Sequence, residues 1–126
     1  MADRTLLIVD DDTEFAQLYK EMFTHRGWRV LHAADGDDAV EQALHNLPRV
    51  ILLDLMLPKK GGLNVLQILK TMPETKRIPV IVVTAYPNPE YKDEAVSTGC
   101  DHFFSKTDIS HPQLAELVDE LVKQTK

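Results

Sequence analysis

The sequence predicts an α/β fold, a doubly wound (βα)5 chain whose parallel five-stranded sheet has the order 2-1-3-4-5. Short apolar, β-branched runs alternate with longer segments of helical period in five successive pairs. The runs Leu6–Val9 and Val50–Leu53 show no polar alternation, as strands covered on both faces by helices require. Acidic, hydroxyl and ammonium side chains follow the strands directly, at the end of the sheet where open parallel folds bind their ligands.

Taken in order, Leu6–Val9 is a central strand. Phe15, Leu18, Tyr19, Met22 and Phe23 recur at helical spacing, with Asp12 or Thr13 to cap the first turn and Gly27 to end the helix. Trp28 to His32 reads as the second strand, and Ala39, Val40, Ala43, Leu44 and Leu47 stripe a second helix that stops before Pro48. Val50–Leu53 is the third strand. A loop with Pro58, Gly61 and Gly62 then leads to a helix striped by Val65, Leu66, Leu69 and Met72. Ile78 to Val83 is the fourth strand, with Pro79 tolerable near its start. The fourth helix, Pro89 to Thr98, offers only Tyr91, Ala95 and Val96 as an apolar edge, so shallow docking is expected, with Gly99 as its C-terminal cap. His102 to Ser105 is a short fifth strand, and Leu114, Leu117, Val118, Leu121 and Val122 form the clearest helical stripe in the chain.

Composition narrows the function classes. With 126 residues, 44% of them apolar, and only 5 Gly and 7 Pro, the chain reads as a single domain over residues 1–126. Lys plus Arg number 14 against 20 for Asp plus Glu, a net charge of -6, and the basic residues are scattered, so no direct nucleic-acid partner is expected. No apolar run approaches the ~20 residues of a membrane span, and no secretory signal opens the sequence, so a cytoplasmic protein without a membrane partner is expected. Cys100 is the sole cysteine, which excludes an internal disulfide and a cysteine metal cage and suggests a buried thiol. The five histidines share no metal-ligand spacing, so packing or surface roles are expected of them.

The acids carry the chemistry. Asp10, Asp11 and Asp12 follow the first strand and Asp54 follows the third, its neighbour in the sheet. Thr84 closes the fourth strand and Lys106 follows the fifth, so four strands bring these groups to one end. Carboxylates held together raise one another's pKa unless a cation neutralises them. A hard divalent ion, Mg2+ or Mn2+, fits an oxygen set of this kind, and Lys106 with Thr84 suits phosphoryl oxygens. Asp12 is set apart as a helix cap.

These residues resemble a known family. Asp10-Asp11 after the first strand, Asp54 with Pro58 and Gly62, Thr84-Ala85 and Lys106, all in order across about residues 5 to 123, resemble the flavodoxin-like receiver domain of two-component response regulators. The resemblance implies phosphoryl transfer from a sensor histidine kinase or histidine phosphotransfer protein to Asp54. It implies Mg2+ held by Asp10, Asp11, Asp54 and the backbone carbonyl of Met56, with Thr84 and Lys106 on the phosphoryl oxygens. It further implies a switch in which Thr84 and Phe103 reshape the face of helix four, strand five and helix five. That face would address a downstream protein target or a linked output domain, and a phosphorylation-linked homodimer is also open. Such a protein is a phosphoacceptor and not a turnover enzyme.

Two departures from the family pattern matter. Thr107 stands where a proline usually follows the lysine, and a cis bond to a non-proline residue costs ~3 kcal/mol, so a trans Lys106-Thr107 bond is expected. By the resemblance, Met56 and Tyr86 stand at the two positions, two after Asp54 and two after Thr84, that influence phosphate lifetime in the family, and neither readily orients water, so slow self-dephosphorylation is expected. Among rivals, a flavin carrier would find its phosphate repelled by Asp10-Asp11-Asp12. A dinucleotide domain lacks its G-x-G-x-x-G run. A D-x-D-x-T phosphatase fails at Glu14. A receiver-like module that binds partners without phosphorylation remains the alternative.

Overall fold

The computed structural model describes residues 4–57, 61–85 and 88–124. Five strands alternate with five helices: β1 (Thr5–Val9), α1 (Thr13–His25), β2 (Arg29–Ala33), α2 (Gly36–Asn46), β3 (Val50–Leu53), α3 (Gly62–Thr71), β4 (Val80–Thr84), α4 (Pro89–Thr98), β5 (His102–Ser105) and α5 (His111–Gln124). All pairings are parallel, in the expected order β2-β1-β3-β4-β5. The three central strands are buried along their whole length, the burden of a sheet covered on both faces.

Strand alternation divides the core in two. Leu6, Ile8, Val50, Leu52, Ile81 and Val83 point to one face and meet α1 and α5 through Tyr19, Phe23, Leu114 and Val118. Leu7, Val9, Ile51, Leu53, Val80 and Val82 point to the other and meet α2, α3 and α4 through Ala39, Ala43, Val65, Leu69 and Ala95. Burial of each large side chain is worth roughly 1.5–3 kcal/mol, so the two layers carry most of the stability.

The helix stripes differ in detail from the sequence pattern. α1 buries Ala16, Tyr19 and Phe23, leaving Leu18 exposed, because the small Ala16 lets the helix approach the sheet one row away from the leucine. α2 lies on Gly36, Ala39 and Ala43, so Leu44 and Leu47 face outward, and Leu47 leaves the helix in the left-handed region at φ 44°. Met72 is likewise a C-cap outside α3. α4 buries only Ala95, in keeping with shallow docking, and ends where Gly99 adopts φ 120° and donates to the carbonyls of Ala95 and Val96. Asp12 caps α1 by accepting from the N–H groups of Glu14 and Phe15 at 3.1 and 3.2 Å. Cys100 is half-buried, less enclosed than expected, and burial pushes its thiol pKa up.

Two strand boundaries also move. β4 begins at Val80, whose N–H donates to the Asp101 carboxylate at 2.8 Å, while Pro79 contributes only its carbonyl, to Ile51. β2 begins at Arg29 and runs to Ala33 because Trp28 turns into the core, where its indole N–H donates to Asp119 Oδ1 at 3.1 Å. That same oxygen accepts from Arg4 Nη2 at 3.1 Å, and Asp119 Oδ2 accepts from Arg26 Nη2 at 2.8 Å and Nε at 3.2 Å. One carboxylate on α5 thus ties down the approach to β1 and the α1–β2 turn. Burial works to raise the Asp119 pKa, but the hydrogen bonds from Arg26 and Trp28 and the charges of Arg26 and Arg4 hold it below the usual carboxylate range. A depressed pKa contributes stability that is present above the ordinary carboxylate value and lost as pH falls through the folded one. Asp119→Asn should therefore lower stability at neutral pH by about 1–3 kcal/mol and flatten the acid limb below pH ~4 in urea titrations. An unchanged neutral-pH midpoint would contradict this.

Candidate functional site

Sheet register places the acids. Val9 pairs with Leu53, and the next residues, Asp10 and Asp54, are fixed by N–H donation to the carbonyls of Ala33 at 3.0 Å and Val9 at 2.9 Å. Both carboxylates are buried, at 2% and 5% exposure, whereas Asp11 is exposed. Backbone groups just downstream orient them: Asp10 Oδ1 accepts from the Asp12 N–H at 2.9 Å, and Asp54 Oδ1 from the Met56 N–H at 3.1 Å. Each remaining oxygen turns to Lys106, whose Nζ lies 2.8 Å from Asp10 Oδ2 and 3.2 Å from Asp54 Oδ2. The lysine stands just after β5, its own N–H bonded to the Thr84 carbonyl at 2.9 Å, and its long stem spans back to the central strands.

Burial raises the Asp10 pKa above the usual range, and the nearby Asp54 charge adds to this, while Lys106 and the Asp12 N–H act against it. For Lys106 burial works to lower the pKa, but the hydrogen bond to Asp10 and the charges of Asp10 and Asp54 raise it on balance. The 2.8 Å N···O contact between Lys106 and Asp10 has the length of a charge-assisted hydrogen bond.

The Lys106 ammonium is shared by two of three clustered acids. Carboxylate oxygens of Asp10, Asp11 and Asp54 all lie within 4.8 Å of one another. An all-oxygen set with two buried members and one facing solvent fits a hard divalent cation that keeps part of its water. Asp11 also borders an open groove of about 720 Å³, lined further by Leu55, Met56, Leu57, Asn64 and Tyr91, which gives the acids access to a large ligand.

The structure thus gathers Asp10, Asp11, Asp54 and Lys106 into one cluster, and Thr84 ends β4 at the same edge, fully buried. Met56 follows on the Asp54 side and is 43% exposed. Phe103 is half-buried against the α2–α3–α4 side of the core, and not in the cluster itself. Tyr86 and Pro58 lie outside the described residues. Among the described residues every peptide bond is trans, Lys106-Thr107 included, and Ser105 Oγ and Thr107 Oγ1 share a 2.9 Å hydrogen bond across that turn.

Sequence reasoning missed two contributors. The His32 Nε2–H donates to the Asp10 carbonyl at 2.8 Å and fixes that peptide, a local role not visible in histidine spacing. The Phe15 ring lies 4.2 Å from Lys106 Nζ, although helical spacing marked it only as core. The signal available was its place on the first turn after the acidic run.

A doubly wound parallel sheet with an acid cluster and a lysine at its carboxyl end is an α/β domain whose charged groups gather where open parallel sheets bind their ligands. Comparison with known proteins gives the family: the response regulator receiver domain model matches residues 6–119, and the chain belongs to that family. It is 30% identical over 115 residues to the polar-differentiation response regulator DivK of Brucella anthropi, covering 91% of this chain and 93% of DivK. It is 33% identical over 102 residues to the probable transcriptional regulatory protein TcrX of Mycobacterium tuberculosis, which covers 81% of this chain but spans only 43% of TcrX. A Francisella response regulator receiver domain superposes with a TM-score of 0.88 at 32% identity, over 98% of this chain and 100% of that one. Among the described residues no helix is long and apolar enough to cross a membrane.

Gly62 holds the β3–α3 junction closed. Its N–H donates to the Leu55 carbonyl at 3.0 Å, and a Cβ there would sit 2.7 Å from the Asp54 carbonyl oxygen and closer still to Leu55 Cα. Gly62→Ala must push backbone away from Asp54, and thermal or urea unfolding should show a loss of about 1–3 kcal/mol. Wild-type stability in that variant would show that the junction yields freely.

Proposed function

We propose that the chain is a phosphorylatable switch of a two-component or phosphorelay system, with Asp54 as the acceptor. The observation that carries this is the Asp54 carboxylate at the end of β3, 3.2 Å from Lys106 Nζ and grouped with Asp10 and Asp11. The donor is a phosphohistidine on a sensor histidine kinase or histidine phosphotransfer protein. An Asp54 carboxylate oxygen forms the new P–O bond as the donor's P–N bond breaks, and the imidazole leaves with the bonding pair as the neutral ring, keeping the proton already on its other nitrogen. Asp10, Asp11, Asp54 and the Met56 carbonyl would hold Mg2+, or Mn2+ in its place. When bound, the ion supplies charge neutralisation to the phosphoryl oxygens.

This chain's own groups do the rest. The Lys106 ammonium swings from the carboxylates to a phosphoryl oxygen, and the Thr84 hydroxyl binds another. Movement of Thr84 and Phe103 then reshapes the α4–β5–α5 face for a downstream protein target or an attached output domain. Support for a movable face comes from α4, which buries only Ala95 and leaves Val96 56% exposed, and weakly held elements are the ones that switch. The protein acts as an acceptor that assists its own phosphorylation, in the cytoplasm.

Incubation with Mg2+ and acetyl phosphate should add one phosphoryl group by intact mass, lost in Asp54→Ala and in the presence of a chelator. If neither acetyl phosphate nor a phosphorylated histidine kinase yields an adduct, the chain works as a phosphorylation-independent binding module. Phosphate lifetime offers a second check. The exposed Met56 thioether cannot aim water at the phosphorus, so Met56→Asn should hasten loss of phosphate several-fold in a decay assay. Equal decay rates would refute the role given to that position.

A further inference from the structure

We propose that Phe15 is a positioning residue for phosphoryl transfer, its ring face holding the Lys106 ammonium at the acid cluster; the proposal deepens the phosphoacceptor reading and rests on it. The Lys106 Nζ lies 4.2 Å from the Phe15 ring centroid, well within the ~6 Å at which a cation is attracted to an aromatic face. An ammonium has three N–H donors. Two directions are taken by Asp10 Oδ2 at 2.8 Å and Asp54 Oδ2 at 3.2 Å, and the ring occupies a further side of the same nitrogen. At 14% exposure the lysine side chain is largely withdrawn from water, where such a contact counts most.

The ring is itself held. Phe15 donates its backbone N–H to the capping Asp12 carboxylate at 3.2 Å, which sets the first turn of α1. Its ring meets Tyr19 at 4.3 Å between centroids, and Tyr19 in turn contacts Phe23 at 6.2 Å and His111 at 5.1 Å. Among the described residues the buried Tyr19 hydroxyl has no hydrogen-bond partner, so it makes no bond to Lys106. α1 therefore presents a fixed apolar platform under a cation borne on the far edge of the sheet.

The platform matters because a lysine stem is flexible and its ammonium is a point charge without preferred geometry. A cation over a ring can pivot without breaking a directional bond. As the acetyl phosphate P–O bond breaks, acetate leaves and the bond to Asp54 forms, the ammonium turns from carboxylate to phosphoryl oxygen while still over the ring.

The test is phosphorylation of the full chain by acetyl phosphate over a range of donor concentrations. Phe15→Leu should lower the maximal rate about 3- to 10-fold with little change in half-saturation. Stepwise fluorination of a phenylalanine incorporated at position 15, which keeps ring shape while draining its face of electron density, should give a graded fall that a packing role would not. In the unphosphorylated protein, NMR should find the Lys106 ε-methylene protons shifted upfield by the ring, and shifted back in Phe15→Leu. A flat fluorination series, or unshifted methylene protons in the wild type, overturns the proposal even if Phe15→Leu is slow. A wild type that takes up phosphate from neither acetyl phosphate nor a phosphorylated histidine kinase sinks the phosphoacceptor reading and this role with it.

Discussion

The Lys106 ammonium shared between Asp10 and Asp54 is the constraint around which the rest is arranged. Two carboxylates at 2% and 5% exposure on adjacent strands would each destabilise the other if left alone. The lysine offsets part of that cost, and the Asp12 and Met56 N–H groups take the other two oxygens. With Asp11 alongside, the cluster still has more carboxylates than ammonium. That excess of negative charge suits a divalent cation, and on the proposed function such a cation and the Lys106 ammonium would together be the counter-charge of a phosphoryl group. On the proposed function, the same ion pair that makes the site tolerable also readies it for phosphoryl transfer.

Everything else in the fold serves to deliver those side chains to one edge. Parallel register puts Asp10 and Asp54 side by side, and the pairing of Thr84 with Ser105 sets Lys106 one residue beyond β5. Gly62 keeps the Asp54 segment tight against α3, and Asp119 anchors the opposite approach to β1. Firm packing is concentrated in the central strands and in α1, α3 and α5, while α4 is lightly held. Rigidity at the acid cluster and looseness in α4 are what a switch needs, since a charge change in a stiff site has to be relieved somewhere.

Much of this was legible in the residues themselves. β3, α4 and β5 fall where apolar runs, Pro89 and Gly99 place them, and the acid, threonine and lysine positions follow from strand ends alone. Helix faces were less legible: Leu18, Leu44 and Leu47 fit an apolar stripe but are exposed, because Ala16, Ala39 and Ala43 set the approach to the sheet. Periodicity ranks residues by hydrophobicity, whereas close helix–sheet contact selects small ones. Trp28 was drawn out of β2 by its bond to Asp119, a partner 91 residues away that no local pattern records. Phe15 escaped notice as a site residue for a related reason, since its contact with Lys106 exists only once α1 and the end of β5 are brought together.

On the proposed function, Lys106 serves as the counter-ion of the buried carboxylates until a phosphoryl group on Asp54 claims it. A crystal structure of the protein with Mg2+ and beryllofluoride, a phosphoryl mimic, tests this most directly. The expected result is beryllium on an Asp54 oxygen, the metal among Asp10, Asp11 and Asp54, and the Lys106 ammonium moved onto a fluorine. Beryllofluoride attached elsewhere, or Lys106 still closed on Asp10 with the mimic bound, would contradict it.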